Sequence, residues 1–246
     1  MSLPINLNFM ENNNNHSNDR FINLDDPHIP DSAALTNLRR RNPAFKIPHY
    51  RIEEIRPVGN NQVLTDYLKN LGIWDISNES LREIYYFTID ERKNKKNYFG
   101  IGWQNVDGDW EVRNKYYVGC LGSRKLTYIM ANPKCLVIFE FYFNYLTWKR
   151  YYLGSTHSVI VLNTLDSLNR AIEISKEYAL VQLYFSHKES GRLATKTFMT
   201  AAPHVTDRSV EYANYPEYND KLTAQLRAFR LQQSQPNYPS TDPKKS

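Results

Sequence analysis

A chain of 246 residues with 41% hydrophobic and 13% aromatic content, including 18 tyrosines and 11 phenylalanines, has the material for one large core or two small ones. Its net charge of +5 and isoelectric point near 9.0 favour polyanionic partners only mildly. Cys120 and Cys135 form no CxxC pair and have no zinc spacing with histidine, and no apolar run approaches 18 residues, so a disulfide framework, a zinc module and a membrane span are excluded and a soluble cytoplasmic protein is expected.

Residues 1–46 contain MENNNNHSND, several prolines and little apolar periodicity, and read as a disordered N-terminal tail. The run Arg39, Arg40, Arg41 in it is either a solvated linker or a phosphate attachment point. Residues 234–246, SQPNYPSTDPKKS, read as a second disordered tail.

Residues 47–130 are expected to form a small α+β domain with antiparallel strands. Val63, Leu64, Tyr67, Leu68 and Leu71 fall on one helical face, and Gly72 stops that helix. Ser77 is expected to cap a short helix. REIYYFTIDER and KNYFGIGWQN read as strands separated by the charged turn ERKNKK. Asp107-Gly108 is a tight hairpin turn, and DWEVRNKYYVG returns as one partner strand. Its alternation puts Trp110 and Val112 on a covered face and Glu111, Arg113 and Lys115 on a polar one.

Residues 131–233 alternate strands with helices: strand 134–139, helix 142–152, strand 158–162, helix 165–177, strand 180–185, helix 189–200, short strand 203–206, helix 217–232. Cys135 lies in the first strand and is expected to be buried there. The pattern predicts an α/β unit with a mostly parallel sheet covered on both faces. Right-handed crossovers then gather Glu140, Asn163 and Ser186 to Lys188 on one rim. Tyr142, Phe143, Tyr145 and Trp148 follow helical spacing and belong to the core.

At these residues the chain resembles Toprim-domain primase-like proteins of bacterial mobile elements, of the Bacteroidetes type. That family's strand-Glu-Gly and following Asp appear in IFEFYFNYLT, where Glu140 is kept, Phe141 stands for Gly and Asn144 for Asp. VIVLNTLDSLNRA is close to the family's usual text. The metal motif, usually LYLDNDxAGR, reads LYFSHKESGR, with Ser186 and Lys188 in place of two aspartates and Gly191, Arg192, Ala194 and Thr195 retained. The closing motif is similar to YPEYNDKL, with Glu217 at the Asp position and Asn219 kept. YLKNLGI, YFGIGWQN and GDWEVRNKYYVG resemble the segment that precedes Toprim in those proteins, so the match spans roughly 50–230. The zinc module that usually opens such primases is missing from this sequence.

The resemblance implies divalent metal at a reacting phosphate, held by a Glu and two Asp. A hard cation such as magnesium takes oxygen ligands, preferably carboxylates, and stabilises charge on the attacking and leaving oxygens. Here Glu140 is the only retained acid, and Ser186 and Lys188 bring the formal charge of the three positions from about −3 to about 0. One unit pair at ~4 Å and an effective dielectric of ~20 is worth roughly 4 kcal/mol, so exchanging a carboxylate for an ammonium opposes magnesium by several kcal/mol. Lys188 has three readings: its ammonium neutralises Glu140, it holds a phosphate directly, or it is solvated. His187 is either an acid-base group or an exposed loop residue.

Other constellations are weaker. Ser155-Thr156-His157-Ser158 lacks an acid to orient the imidazole. Gly119, Gly122, Ser123, Arg124 and Lys125 form a basic loop that either cradles phosphate or merely connects. Arg113, Lys115 and Tyr117, and Lys149 with Arg150, interleave cations with aromatics as single-strand-binding surfaces do.

The expected function is a catalytically inactive, primase-related protein that binds DNA or RNA, or acts as a scaffold beside a replication or mobilisation protein. Lys188, Arg192, Arg113, Lys115, Arg124 and Lys125 are the candidate nucleic-acid contacts. No cofactor is expected, and magnesium only with residual activity. The enzyme alternative is a metal-dependent primase or nuclease that recruits Glu217, His187 or Asp207 beside Glu140. The third alternative is a protein-interaction module for a replication enzyme.

Overall fold

A computed structural model describes residues 50–233. The two expected tails and the run of Arg39, Arg40 and Arg41 lie outside these described residues. The fold class is the expected one, a mixed α/β structure with one antiparallel sheet and one mostly parallel sheet flanked by helices.

The first sheet is antiparallel in the order β1 (Tyr50–Pro57), β2 (Arg82–Ile89), β3 (Lys95–Gln104), β4 (Trp110–Arg113), β5 (Val118–Leu121). Helix α1 (Gln62–Asn70) crosses between β1 and β2. The Asn61 side chain accepts the amides of Val63 and Leu64 at 3.0 and 3.3 Å and so starts the helix. Buried Glu83 accepts the three preceding amides, of Gly59, Asn60 and Asn61, each at 2.9 Å. The helix stops at Gly72, whose φ of +70° suits glycine. There the amides of Gly72 and Ile73 return to the carbonyls of Lys69 and Leu68, each at 3.1 Å.

The second sheet runs in the order β10 (Val205–Asp207), β9 (Leu180–Tyr184), β7 (Asn132–Phe139), β8 (His157–Val161), β6 (Thr127–Ile129). All neighbours are parallel except β6, which pairs antiparallel with β8. Its helices are α2 (Tyr142–Tyr151), α3 (Leu168–Ser175), α4 (Glu189–Ala201) and α5 (Tyr218–Gln233).

Strand alternation divides the core in two. On one face of the second sheet Val137, Phe139, Val159, Val161 and Tyr184 meet α2 and α5, and also Leu64, Leu68, Ile101 and Trp103 of the first unit. On the other face Leu136, Ile138, Ile160, Leu183 and Phe185 meet α3 and α4. Tyr142, Phe143, Tyr145 and Trp148 are buried in the first of these cores, as their spacing predicts.

Several local expectations are corrected. Strand β1 was not expected, because Glu53 and Glu54, at a bulge between Ile52 and Glu54, interrupt its alternation. Residues 109–119 are not one strand: Asn114 accepts the amides of Tyr116 and Tyr117 at 2.9 and 3.0 Å and turns the chain between β4 and β5. Glu111, assigned to a polar face, is buried, because its face packs toward the interior. Ser77 follows the short 3-10 turn Trp74–Ile76 rather than opening a helix, and its hydroxyl donates to the Trp74 carbonyl at 2.7 Å. Residues 165–177 begin as a 3-10 turn, Leu165–Ser167, before α3. Cys135 is half-buried, since it sits before the covered part of β7.

Candidate functional site

Phe139 pairs in register with both Val161 and Tyr184, so β7, β8 and β9 end together. Glu140, one residue past β7, and Asn163 and Ser186, each two residues past β8 and β9, therefore share one rim. Glu140 is only 4% exposed. Its Oε2 accepts the Ser186 amide at 3.1 Å, and its backbone carbonyl accepts the Asn163 amide at 3.2 Å. The Ser186 hydroxyl is buried and has no hydrogen-bond partner. Gly191 lets the first turn of α4 settle onto this pair: a Cβ there would collide with the Ser186 carbonyl and stand 3.0 Å from Glu140 Oε2.

Lys188 occupies the N-cap position of α4, and its ammonium pairs with Glu217 rather than Glu140. The Glu217 carboxylate raises the lysine pKa above its ordinary value; burial opposes this, and the charges of Glu140 and Asp220 add to it. The amide of Glu217 donates to Asp220 Oδ2 at 3.1 Å, where α5 begins. Burial, and then the Glu217 charge, push the Asp220 carboxyl up. The neutralising reading of Lys188 is thus corrected in its partner: its closest acid belongs to the closing motif.

Asn144 is buried under this rim, and its Oδ1 accepts the Asn219 amide at 3.1 Å. The Asn219 side chain in turn donates to Leu71 O at 3.0 Å and Thr147 Oγ1 at 2.8 Å. Asn144 and Asn219 clasp α5 to α2 and α1. His187 donates from Nδ1 to the Tyr215 carbonyl and from its amide to Pro216, both at 2.8 Å. His187 and Lys188 line a shallow open depression with residues 213–216. Asp207 accepts the Ser209 amide at 2.8 Å.

This donor set does not fit a hard divalent cation. One oxygen of Glu140 is committed to a backbone amide, the Asn144 oxygen to another, and Glu217 to an ammonium. Among the described residues no group of three or more His, Cys, Asp or Glu side chains is arranged to hold a metal ion.

The candidate basic residues separate, except that Arg113 and Lys188 both act on the Asp220 carboxyl. Arg192 is exposed on α4 beside Lys188. Lys125 is exposed at the other end of the rim, where its carbonyl accepts from Asn163 Nδ2 at 2.8 Å. Arg124 is turned toward buried Glu111, Nε to Oε2 3.3 Å. The loop's Ser123 amide already has an anion, Asp109 Oδ2 at 2.7 Å. Arg113 lies 5.0 Å over the Phe143 ring, whereas Lys115 stands in the β4–β5 turn. Lys149 and Arg150 are paired with Glu79 and Asp75. Ser155 Oγ is 2.7 Å from His157 Nδ1, and among the described residues no carboxylate orients that imidazole.

Two features escaped sequence reasoning. Asn163 adopts a left-handed φ of +60° and joins three segments through its side chain. Glu211 accepts from Arg208 at 2.6 Å and from the hydroxyls of Tyr152, Tyr184 and Tyr218 at 3.1, 3.3 and 3.0 Å. These partners are scattered along the chain, and no local spacing announces them.

A family model described as a domain of unknown function, DUF8464, matches residues 52–122. The chain matches no curated protein in sequence. It is similar to the primase fragment of the bacteriophage T7 primase-helicase protein, at 16% identity and a TM-score of 0.43, over 68% of this chain and 69% of that one. It is also similar to a chain of a bacteriophage T7 assembly, at 15% identity and a TM-score of 0.39, over 74% of this chain and 91% of that one. That assembly is described as lagging-strand DNA polymerase interacting with primase domains bound to an RNA/DNA hybrid and dTTP. Among the described residues no helix is long and apolar enough to cross a membrane.

Proposed function

We propose that this chain is a primase-related protein of the Toprim type that has given up metal chemistry, binds nucleic acid and works as a positioning element in replication or mobilisation of a bacterial mobile element. The observation that carries the reading is the Lys188 ammonium on Glu217, beside Glu140 whose carboxylate is tied to the Ser186 amide. A tethered cation occupies the charge role that a free metal would need, and it brings no open coordination position. Without metal at that rim, phosphoryl transfer loses its main means of stabilising charge, and binding remains.

The test is calorimetric titration of the full chain with magnesium and then manganese, followed by titration with a labelled single-stranded oligonucleotide at low ionic strength. The expected result is no micromolar metal isotherm and salt-dependent oligonucleotide binding. A micromolar metal isotherm abolished by Glu140→Ala would restore the enzyme reading. Absence of oligonucleotide binding would move the protein to the interaction-module class.

A further inference from the structure

Pairing register sorts the side chains of the first sheet into two faces, since directly opposed residues share a face. One face carries Ile101 and Trp103 into the core shared with the second sheet. The other carries Ile84, Tyr86, Tyr98, Trp110, Val112 and Leu121, which cluster away from that core. Tyr86 and Tyr98 stack at 5.4 Å between ring centroids with planes 24° apart.

Three glycines floor this outer face. The Tyr117 ring lies over Gly119, and Trp110 approaches Gly102, where a Cβ would sit 3.0 Å from its ring. At Gly100 the nearest atoms to a Cβ would be backbone atoms of Arg113, at 3.2–3.6 Å, and all three glycines are buried. Ile84, Tyr86, Val112 and Leu121 are buried beneath these rings, and Tyr117 is 38% exposed.

Charge is sorted as well. The strand cations on this face are Arg82 and Lys96, placed opposite Gly102 and Thr88. None of the five strands contributes an Asp or Glu to it. The acids of β1 and β2 are held on the inner side: Glu53 by Lys95, Glu54 by Arg56, and Glu83 by three amides. Arg92 and Lys93 are exposed at the β2–β3 hairpin tip, and Lys115 is exposed in the β4–β5 turn. Of the acids in this hairpin, Asp90 stands 3.8 Å from Lys96, and Glu91 adjoins Arg92 in sequence.

We propose that this outer face, rather than the rim, is the docking surface for single-stranded nucleic acid. Bases stack on Tyr98, Tyr117 and Trp110, and phosphates pair with Lys96, Lys115, Arg92 and Lys93. Aromatic rings accept any base, and the surrounding cations follow the backbone, so recognition is sequence-tolerant. The proposal rests on the reading of the chain as a nucleic-acid binder but assigns the contact to the face of the first sheet that points away from the core shared with the second.

The experiment measures fluorescence anisotropy of a labelled oligothymidylate of about 20 nucleotides, a length that spans one such site. The full chain is compared with Tyr98→Ala/Tyr117→Ala, with the exposed-charge variant Lys96→Glu/Lys115→Glu, and with the rim variant Lys125→Glu/Arg192→Glu. Circular dichroism verifies folding; the charge variant alters only surface residues and keeps the test valid if the tyrosine variant unfolds. Both face variants are expected to weaken binding by about tenfold or more, with the rim variant near wild type and a duplex of the same length bound more weakly. Loss in the rim variant with unchanged face variants overturns this surface and leaves the general reading standing. Equal binding of duplex overturns the stacking claim. No binding by the wild-type chain overturns both.

Discussion

The indole N–H of Trp103 donates to the side-chain oxygen of Asn163 at 3.1 Å, joining the first sheet to the carboxyl edge of the second. Trp103 also stacks on Tyr142 at 4.7 Å, and Asn163 Nδ2 donates to Thr127 Oγ1 at 3.0 Å and to the Lys125 carbonyl. One asparagine thus fixes a strand, a loop and a neighbouring sheet. Asn163→Ala removes these bonds and puts at a φ of +60° a residue that tolerates the left-handed region less well than asparagine, so it should cost about 3 kcal/mol. Trp103→Phe keeps most of the ring and loses one donor, for about 1 kcal/mol. Urea unfolding measures both; equal losses would mean that the clasp has no special weight.

Gly191→Ala should be among the most damaging small substitutions. The added methyl meets the Ser186 backbone carbonyl, which cannot swing aside as a side chain would. The expected loss is about 2–3 kcal/mol, the range of overpacked sites. Unchanged urea midpoints would show that α4 can shift outward at little cost.

Lys188→Met should cost under about 1 kcal/mol, because the lysine side chain is 56% exposed. The sign of its pH dependence follows from the raised pKa. The ion-pair contribution is complete below the ordinary lysine value of 10.5 and fades only as pH rises through the elevated one. The difference between wild type and Lys188→Met in thermal melts should therefore stay flat from mildly acidic to mildly alkaline pH. A difference that vanishes on passing neutrality would assign the effect to another group.

Glu111→Gln should stabilise the protein at neutral pH. Burial pushes this carboxyl up, and Arg124 only partly opposes it. A raised carboxyl contributes stability below its unfolded value of 4.5 and loses it as pH rises through the folded value. The advantage of glutamine should consequently shrink as the solution is acidified. A constant advantage would point to packing instead of charge.

Cys120 should resist thiol reagents. Burial, and then the Glu111 charge, push its thiol up to about 12. At a pH near 8 the reactive thiolate is then only about one part in ten thousand. In a Cys135→Ser variant, native labelling should be far slower than labelling in urea; equal rates would refute the assignment.

The second sheet was legible because its strands are continuous apolar runs, VIF and VIVL among them, separated by helical spacing. That same pattern brought Glu140, Asn163 and Ser186 to one rim. The first sheet was harder. Glu53 and Glu54 are spoken for by Lys95 and Arg56 and disguise β1 as surface, and Glu111, paired with Arg124, disguises a covered face as a polar one. The partner of Lys188 was not legible either, since Glu217 lies 29 residues away at the foot of the last helix. Long-range charge pairing leaves no local periodicity to read.

Leu64, Leu68, Ile101 and Trp103 share one core with Phe139, Phe143, Leu146 and Leu222. An excised fragment limited to residues 52–122, the stretch that the family model matches, would bare that whole greasy underside to water. Truncation there should yield aggregation rather than an autonomous module, and the two sheets should melt in a single concerted step.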